Sequence, residues 1–144
     1  MILLVFSLNK KYNLPYLAAY MADKAQLYSK VGPLYEEAIK RCVKPKRGKI
    51  PEITNRYIWF LVYCKETKFR NLDKAFKLCQ ETIKLCKIPK DKAECLYNLS
   101  CVYHVKGNTT KALSLVAQAL SIAKDPVQIK RLKEGQAFFK KKKK

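Results

Sequence analysis

Residues 93–126 read AECLYNLSCVYHVKGNTTKALSLVAQALSIAKDP. Leu96, Leu99, Val102 and Tyr103 recur at steps of three and four, the spacing that gathers side chains on one face of an α-helix. Gly107-Asn108 breaks the run, and Asn108-Thr109-Thr110 offers side-chain oxygens that can accept from the free amides of a new helix start. A second stripe follows in Leu113, Val116, Ala117 and Leu120. Ala112 and Ala119 are small where two helices must approach closely. Asp125-Pro126 is expected to stop the second helix, because proline cannot continue it. The stretch reads as a helical hairpin.

Working outward, the same landmarks recur. Ala38, Ala75 and Ala112 stand 37 residues apart, each followed four positions later by Cys42, Cys79 or Val116. Pro89 and Pro126, Trp59 and Leu96, Val62 and Leu99, Ile83 and Leu120, and Leu85 and Ile122 keep the same spacing. Agreement across so many pairs marks a repeat, and a period of this size indicates stacked helical hairpins. The second unit then spans a helix from Tyr57 to near Phe69, a turn at Arg70-Asn71, and a helix from Leu72 to near Lys87 that ends by Pro89. The first is looser: a helix from Tyr16 to Val31, a turn at Gly32-Pro33, and a helix from Leu34 to Val43. A last helix is expected over Val127–Phe139, with Ile129, Leu132 and Phe139 as its apolar contacts and Lys130, Arg131 and Lys133 toward water.

The segment from Ala93 to Pro126 resembles a tetratricopeptide repeat. Leu96 stands where the family has tryptophan, Leu99-Ser100 for leucine-glycine, and Tyr103 for the tyrosine. Ala112, Val116 and Ala119 fill the second helix, and Pro126 stands two residues late. Trp59, Val62, Ala75, Cys79 and Pro89 match more weakly in the second unit, where Tyr63 replaces the small residue and Glu66 the tyrosine. The first unit is similar only around Leu27-Tyr28, Gly32 and Leu34 to Ala38. The resemblance implies an all-α fold, a right-handed superhelix of about three helix-turn-helix hairpins with a C-terminal capping helix. The expected organisation is an apolar lead-in over 1–15, the repeat domain over 16–126, the cap over 127–139 and a disordered lysine tail over 140–144.

In such solenoids the first helix of each hairpin lines a concave groove. That register assigns Tyr20, Lys24 and Leu27 from the first unit, Tyr57, Phe60, Leu61 and Cys64 from the second, and Tyr97, Asn98, Cys101, His104 and Val105 from the third. Such a groove is aromatic and apolar and suits an amphipathic helix or an extended peptide. Glu94, Phe60 and Leu61 stand where a clamp for acidic chaperone tails would need basic groups. The lead-in Met1 to Phe6 could instead occupy the groove in cis, or mark a self-association edge.

The chain has 31 basic and 11 acidic residues, a formal charge of +20. The excess is clustered in Lys40, Arg41, Lys44, Lys46, Arg47 and Lys49, and again in Lys140, Lys141, Lys142, Lys143 and Lys144. Clusters of this kind fit an anionic partner, which could be an acidic protein or the backbone of RNA, and the Lys-Arg-x-Lys core at 46–49 resembles a nuclear-import signal. The leading apolar run is too short to span a bilayer.

Chemistry of the catalytic kind finds little footing. Cys101 and His104 are three apart and could share a helix face, yet no third orienting group or oxyanion site accompanies them. Carboxylates are few and scattered, and no glycine-rich phosphate loop occurs. The six cysteines, Cys42, Cys64, Cys79, Cys86, Cys95 and Cys101, form no C-x-x-C pair, and the single His104 has no cysteine at a zinc-finger spacing. They read as reduced core thiols of an intracellular protein. The expectation is a non-enzymatic interaction scaffold or adaptor, without cofactor or metal, cytoplasmic with nuclear access through the import-like motif. The alternative is a subunit of a ribonucleoprotein complex.

Overall fold

The computed structural model describes residues 14–42 and 50–141, and every regular element among them is helical. Among the described residues seven α-helices follow one another: α1 (Leu14–Lys24), α2 (Tyr28–Arg41), α3 (Ile50–Tyr63), α4 (Leu72–Ile83), α5 (Pro89–Val105), α6 (Thr109–Ile122) and α7 (Pro126–Lys141), with a short 3₁₀ turn over Thr67–Phe69. The chain divides into two compact units after Tyr57. No helix among the described residues is long and apolar enough to cross a membrane.

In the first unit, α1 and α2 pack on each other through small side chains on α1, Ala19 and Ala22, and through Tyr28, Val31, Tyr35 and Ala38 on α2. Tyr35 stacks on Tyr57 with ring centroids 5.4 Å apart, and the Tyr57 hydroxyl donates to Glu36 at 3.0 Å. The hairpin turn differs from expectation. It falls at Ala25–Leu27, and Gly32-Pro33 lies inside α2. The chain reverses through a Schellman closure, with the Leu27 amide donating to Ala22 and the Gln26 amide to Asp23, at 2.8 and 3.1 Å. Gln26 takes a φ of 61°, the left-handed region that glycine usually fills. Pro33 is tolerated because the one carbonyl it leaves without a helical donor, that of Ser29, belongs to a solvent-exposed residue.

The second unit holds α4 to α7 and α3 from Ile58 onward. Its core joins Ala93, Leu96, Tyr97 and Cys101 of α5 to Ala112, Leu115, Val116 and Ala119 of α6 and to Leu132 and Phe139 of α7. The repeat landmarks are core positions: Ala75, Cys79, Ala112, Val116 and Ala119 are wholly buried. Asn71 and Asn108, themselves 37 apart, both cap their helices, each side chain accepting from an amide three residues on, Lys74 and Lys111, at 3.0 Å. Gly107, at a φ of 92°, closes α5 by the same Schellman pattern, the Asn108 amide reaching Tyr103 at 2.9 Å.

Several boundaries moved for definite reasons. Pro89 and Pro126 begin α5 and α7 instead of ending the helices before them, since the first helical residue has no amide partner to lose. Expected to run from Tyr57 to Phe69, α3 lies instead over Ile50–Tyr63. Lys65 to Lys68 are all exposed and offer no apolar stripe to extend it. The Arg70 side chain donates to the freed Cys64 carbonyl at 2.7 Å, and the Asn71 amide donates to Leu61 at 2.9 Å. At the N-terminal end, Leu14 and Pro15 belong to α1, while residues 1–13 of the expected lead-in lie outside the described residues. Likewise α7 continues through Lys140 and Lys141, where a tail was expected.

Candidate aromatic docking face

The groove assigned from the sequence is largely core. Tyr57, Phe60, Leu61, Cys64, Tyr97, Asn98 and Cys101 are buried. Tyr20, Lys24, Leu27 and Val105 are exposed, and His104 is half-buried. The correction in the second unit has two physical causes. The exposed side of α3 is offset by one residue from the one assigned, so Trp59 and Tyr63, four apart, reach the surface where Phe60, Leu61 and Cys64 point inward. The α7 helix also does more than cap an edge, for it lies over Tyr97 and His104.

Gly135 makes that seating possible. A Cβ at residue 135 would come within 2.5 Å of the Tyr97 hydroxyl oxygen and 2.6 Å of a ring carbon. Phe139, 1% exposed, packs 6.3 Å from Tyr97 and 4.6 Å from the His104 ring, and Phe138 meets His104 edge-on at 5.4 Å. Arg131 lies over the Tyr97 ring at 5.6 Å and bonds the Glu94 carboxylate. Burial opposes the Arg131 charge, but the hydrogen bond and charge of Glu94 outweigh it and raise its pKa. Gln128 adds a bond to the Lys90 carbonyl at 2.8 Å, fastening the start of α7 to the start of α5.

A continuous series of rings results. Trp59 packs against Tyr63 at 4.8 Å and Tyr97 at 6.2 Å, and Tyr97 leads through Phe139 to His104 and Phe138. Trp59 and Tyr63 are each 37% exposed and Phe138 is 47% exposed, so the series breaks the surface at both ends. Below it, the Cys101 thiol is pushed up by burial, although bonds from Tyr63, Tyr97 and Ser100 pull the other way. Burial, with the Cys101 sulfur beside them, likewise holds the Tyr63 and Tyr97 hydroxyls well above the usual phenol range. Cys101 is therefore a neutral core thiol whose hydrogen-bonding partners are tyrosines and a serine.

In the first unit, α1 buries Ala19 and Ala22 and turns Leu17, Tyr20 and Met21 outward. Lys24 and Arg56 lie over the Tyr20 ring at 5.4 and 5.3 Å. Of the basic clusters, Lys140 and Lys141 are exposed at the end of α7, two and three residues beyond Phe138. Lys44, Lys46, Arg47, Lys49 and Lys142 to Lys144 lie outside the described residues. Among the described residues no group of three or more histidine, cysteine, aspartate or glutamate side chains is placed to hold a metal ion.

Sequence reasoning missed Trp59, Tyr63, Arg131 and Phe138. The signal for the first two was their four-residue spacing beside exposed Arg56, which marks one helix face. Set against known proteins, the chain matches no family model, no curated protein and no solved structure.

Proposed function

We propose that the protein is a non-enzymatic interaction module, a tetratricopeptide-like helical repeat whose second unit docks a peptide or amphipathic helix on the aromatic face of Trp59, Tyr63 and Phe138. The observation that carries this reading is the series of rings from Trp59 to Phe138, exposed at both ends and fixed from below. Large aromatic side chains in a partly buried setting are the usual anchors of protein interfaces. The paired asparagine caps and buried alanines, repeated at 37 residues, support the repeat reading.

Trp59 is the chain's single tryptophan, so the site carries its own reporter. Peptides selected against the full chain from a random display library should shift Trp59 emission on titration. Paired replacement Trp59→Ala and Tyr63→Ser should weaken them by at least about tenfold, read by polarisation of a labelled peptide. Selected peptides that bind the double variant as tightly as the parent chain would refute the site.

A second reading rests on Lys140 and Lys141, exposed two and three residues from Phe138: single-stranded RNA could stack on the rings while lysines hold its phosphates. Affinity for a labelled homopolymeric RNA would then fall steeply as salt rises, and a flat response would exclude it.

A further inference from the structure

Two of the six cysteines meet. Cys86 lies in the linker between α4 and α5, and Cys95 lies two turns into α5. Their sulfurs are 3.1 Å apart. A disulfide bond is about 2.05 Å long, so about 1 Å of approach separates the two thiols from a bond. The linker can supply it. Cys86 is half-buried between exposed Leu85 and Lys87. Its amide donates to Ile83 at 3.3 Å, and its thiol donates to the Thr82 carbonyl at 3.3 Å, a weak bond that approach to Cys95 would replace. Cys95 is fully buried, so a reagent from solvent reaches the pair through Cys86.

We propose that Cys86 and Cys95 form a redox-active dithiol that takes a low-molecular-weight disulfide, such as oxidised glutathione, as its oxidant and closes to an intramolecular disulfide. The two positions differ in character. A hydrogen bond from the Cys95 thiol favours the Cys86 thiolate and outweighs burial and Asp91, with Lys92 helping. Cys95, which donates that bond and is buried, is held protonated. Cys86 is thus the attacking sulfur and Cys95 the resolving one. Cys79 and Cys101 are poor competitors, since burial pushes Cys79 up to about 12 and raises Cys101 as well.

In the first step the Cys86 thiolate attacks one sulfur of the small disulfide. The Cys86–sulfur bond forms, the small disulfide bond breaks, and one small thiolate leaves. That thiolate takes up the proton Cys86 had lost to solvent. In the second step Cys95 gives its proton to solvent and its sulfur attacks the Cys86 sulfur. The mixed disulfide breaks and the second small thiolate leaves, to be protonated in turn. Two protein thiols are oxidised by two electrons, and one small disulfide is reduced to two thiols. Closure ties the α4–α5 linker to α5.

The test uses the full chain in glutathione buffers of stepped oxidised-to-reduced ratio, followed by acid quench, alkylation and mass mapping. The expected product is a peptide pair joining Cys86 to Cys95, lighter by two hydrogens and reopened by excess reduced glutathione. Cys95→Ala should instead accumulate glutathione on Cys86, at least about ten times the wild-type occupancy. Cys86→Ser should leave Cys95 unmodified. A wild-type chain that carries stable glutathione on Cys86 without the link, or keeps both thiols free when oxidised glutathione dominates, would overturn the proposal. Wild-type mapping decides between these even if a variant folds poorly.

Discussion

Replacing Gly135 with alanine sets two effects against each other. Alanine is the better helix former by about 1 kcal/mol in a helix interior. Against this, the new methyl group would lie 2.5 to 2.8 Å from three atoms of the Tyr97 side chain, inside any real carbon contact. Tyr97 has little room to yield, with Trp59, Phe139 and Arg131 all packed around its ring. Overfilling a packed core costs about 1–3 kcal/mol, and the pinned ring argues for the upper part of that range. The net expectation is a loss of about 1–2 kcal/mol. Each kcal/mol corresponds to a fall in Tm of about 4–8 °C for a unit of this size. Urea unfolding followed by Trp59 emission and far-ultraviolet circular dichroism measures it. A cycle with Tyr97→Leu sharpens the argument: once the ring is gone, Gly135→Ala should stabilise, because only helix propensity remains. The same cost in both backgrounds would show that the ring contact is not its source.

The left-handed Gln26 should welcome glycine. Gln26→Gly is expected to raise stability by about 1 kcal/mol in urea unfolding, the reverse of an ordinary glycine substitution. Removing α7 by ending the chain at Asp125 exposes the hydrophobic surface covered by Leu132 and Phe139, each worth about 1.5–3 kcal/mol of burial, and light scattering should reveal aggregation. Ending it at Lys141 should leave the melting curve unchanged. Alkaline pH should destabilise the fold. The Cys79 thiol rises from an ordinary value of 9.0 to about 12, so the native state holds a proton that the unfolded chain releases. Its contribution is whole below about pH 9 and is lost as pH climbs toward 12, and the raised Tyr35, Tyr63 and Tyr97 hydroxyls act in the same sense. Urea midpoints should hold up to about pH 9 and fall between about pH 9 and 11, and a flat profile there would contradict this.

The helical architecture was legible because burial obeys the 37-residue period. Ala75 and Ala112 can sit wholly inside only if the helices around them approach closely, and their recurrence is visible without any structure. Turn positions were harder. Gly32-Pro33 is a strong breaker by composition, yet tertiary burial of Val31 and Tyr35 on either side carries α2 through it. The true reversal at Ala25–Leu27 has no glycine to announce it. Prolines at residues 89 and 126 looked like stops because the same residue favours a helix start and forbids a helix middle. The exposed aromatic side of α3 lies one residue away from the side assigned, and a one-residue shift turns a helix by more than a quarter of its circumference. On α5 the assigned Tyr97, Asn98 and Cys101 are buried, and nothing local tells that Gly135 lets α7 settle on Tyr97. The Cys86–Cys95 pair was illegible for a related reason. The two cysteines stand nine positions apart across a linker and a helix start, outside any spacing that marks a thiol pair.

The rings between Trp59 and Phe138 are stiff as well as apolar. Each has two side-chain torsions, and each is held by a neighbour before any partner arrives: Trp59 by Tyr63 and Tyr97, and Phe138 by His104. A surface ordered in advance loses little rotational freedom when it is covered. For the docking proposed above, this favours recognition by selection of shape. Partners that fit would associate without waiting for rearrangement, differ from one another mainly in how slowly they leave, and reveal their buried area as a negative heat-capacity change.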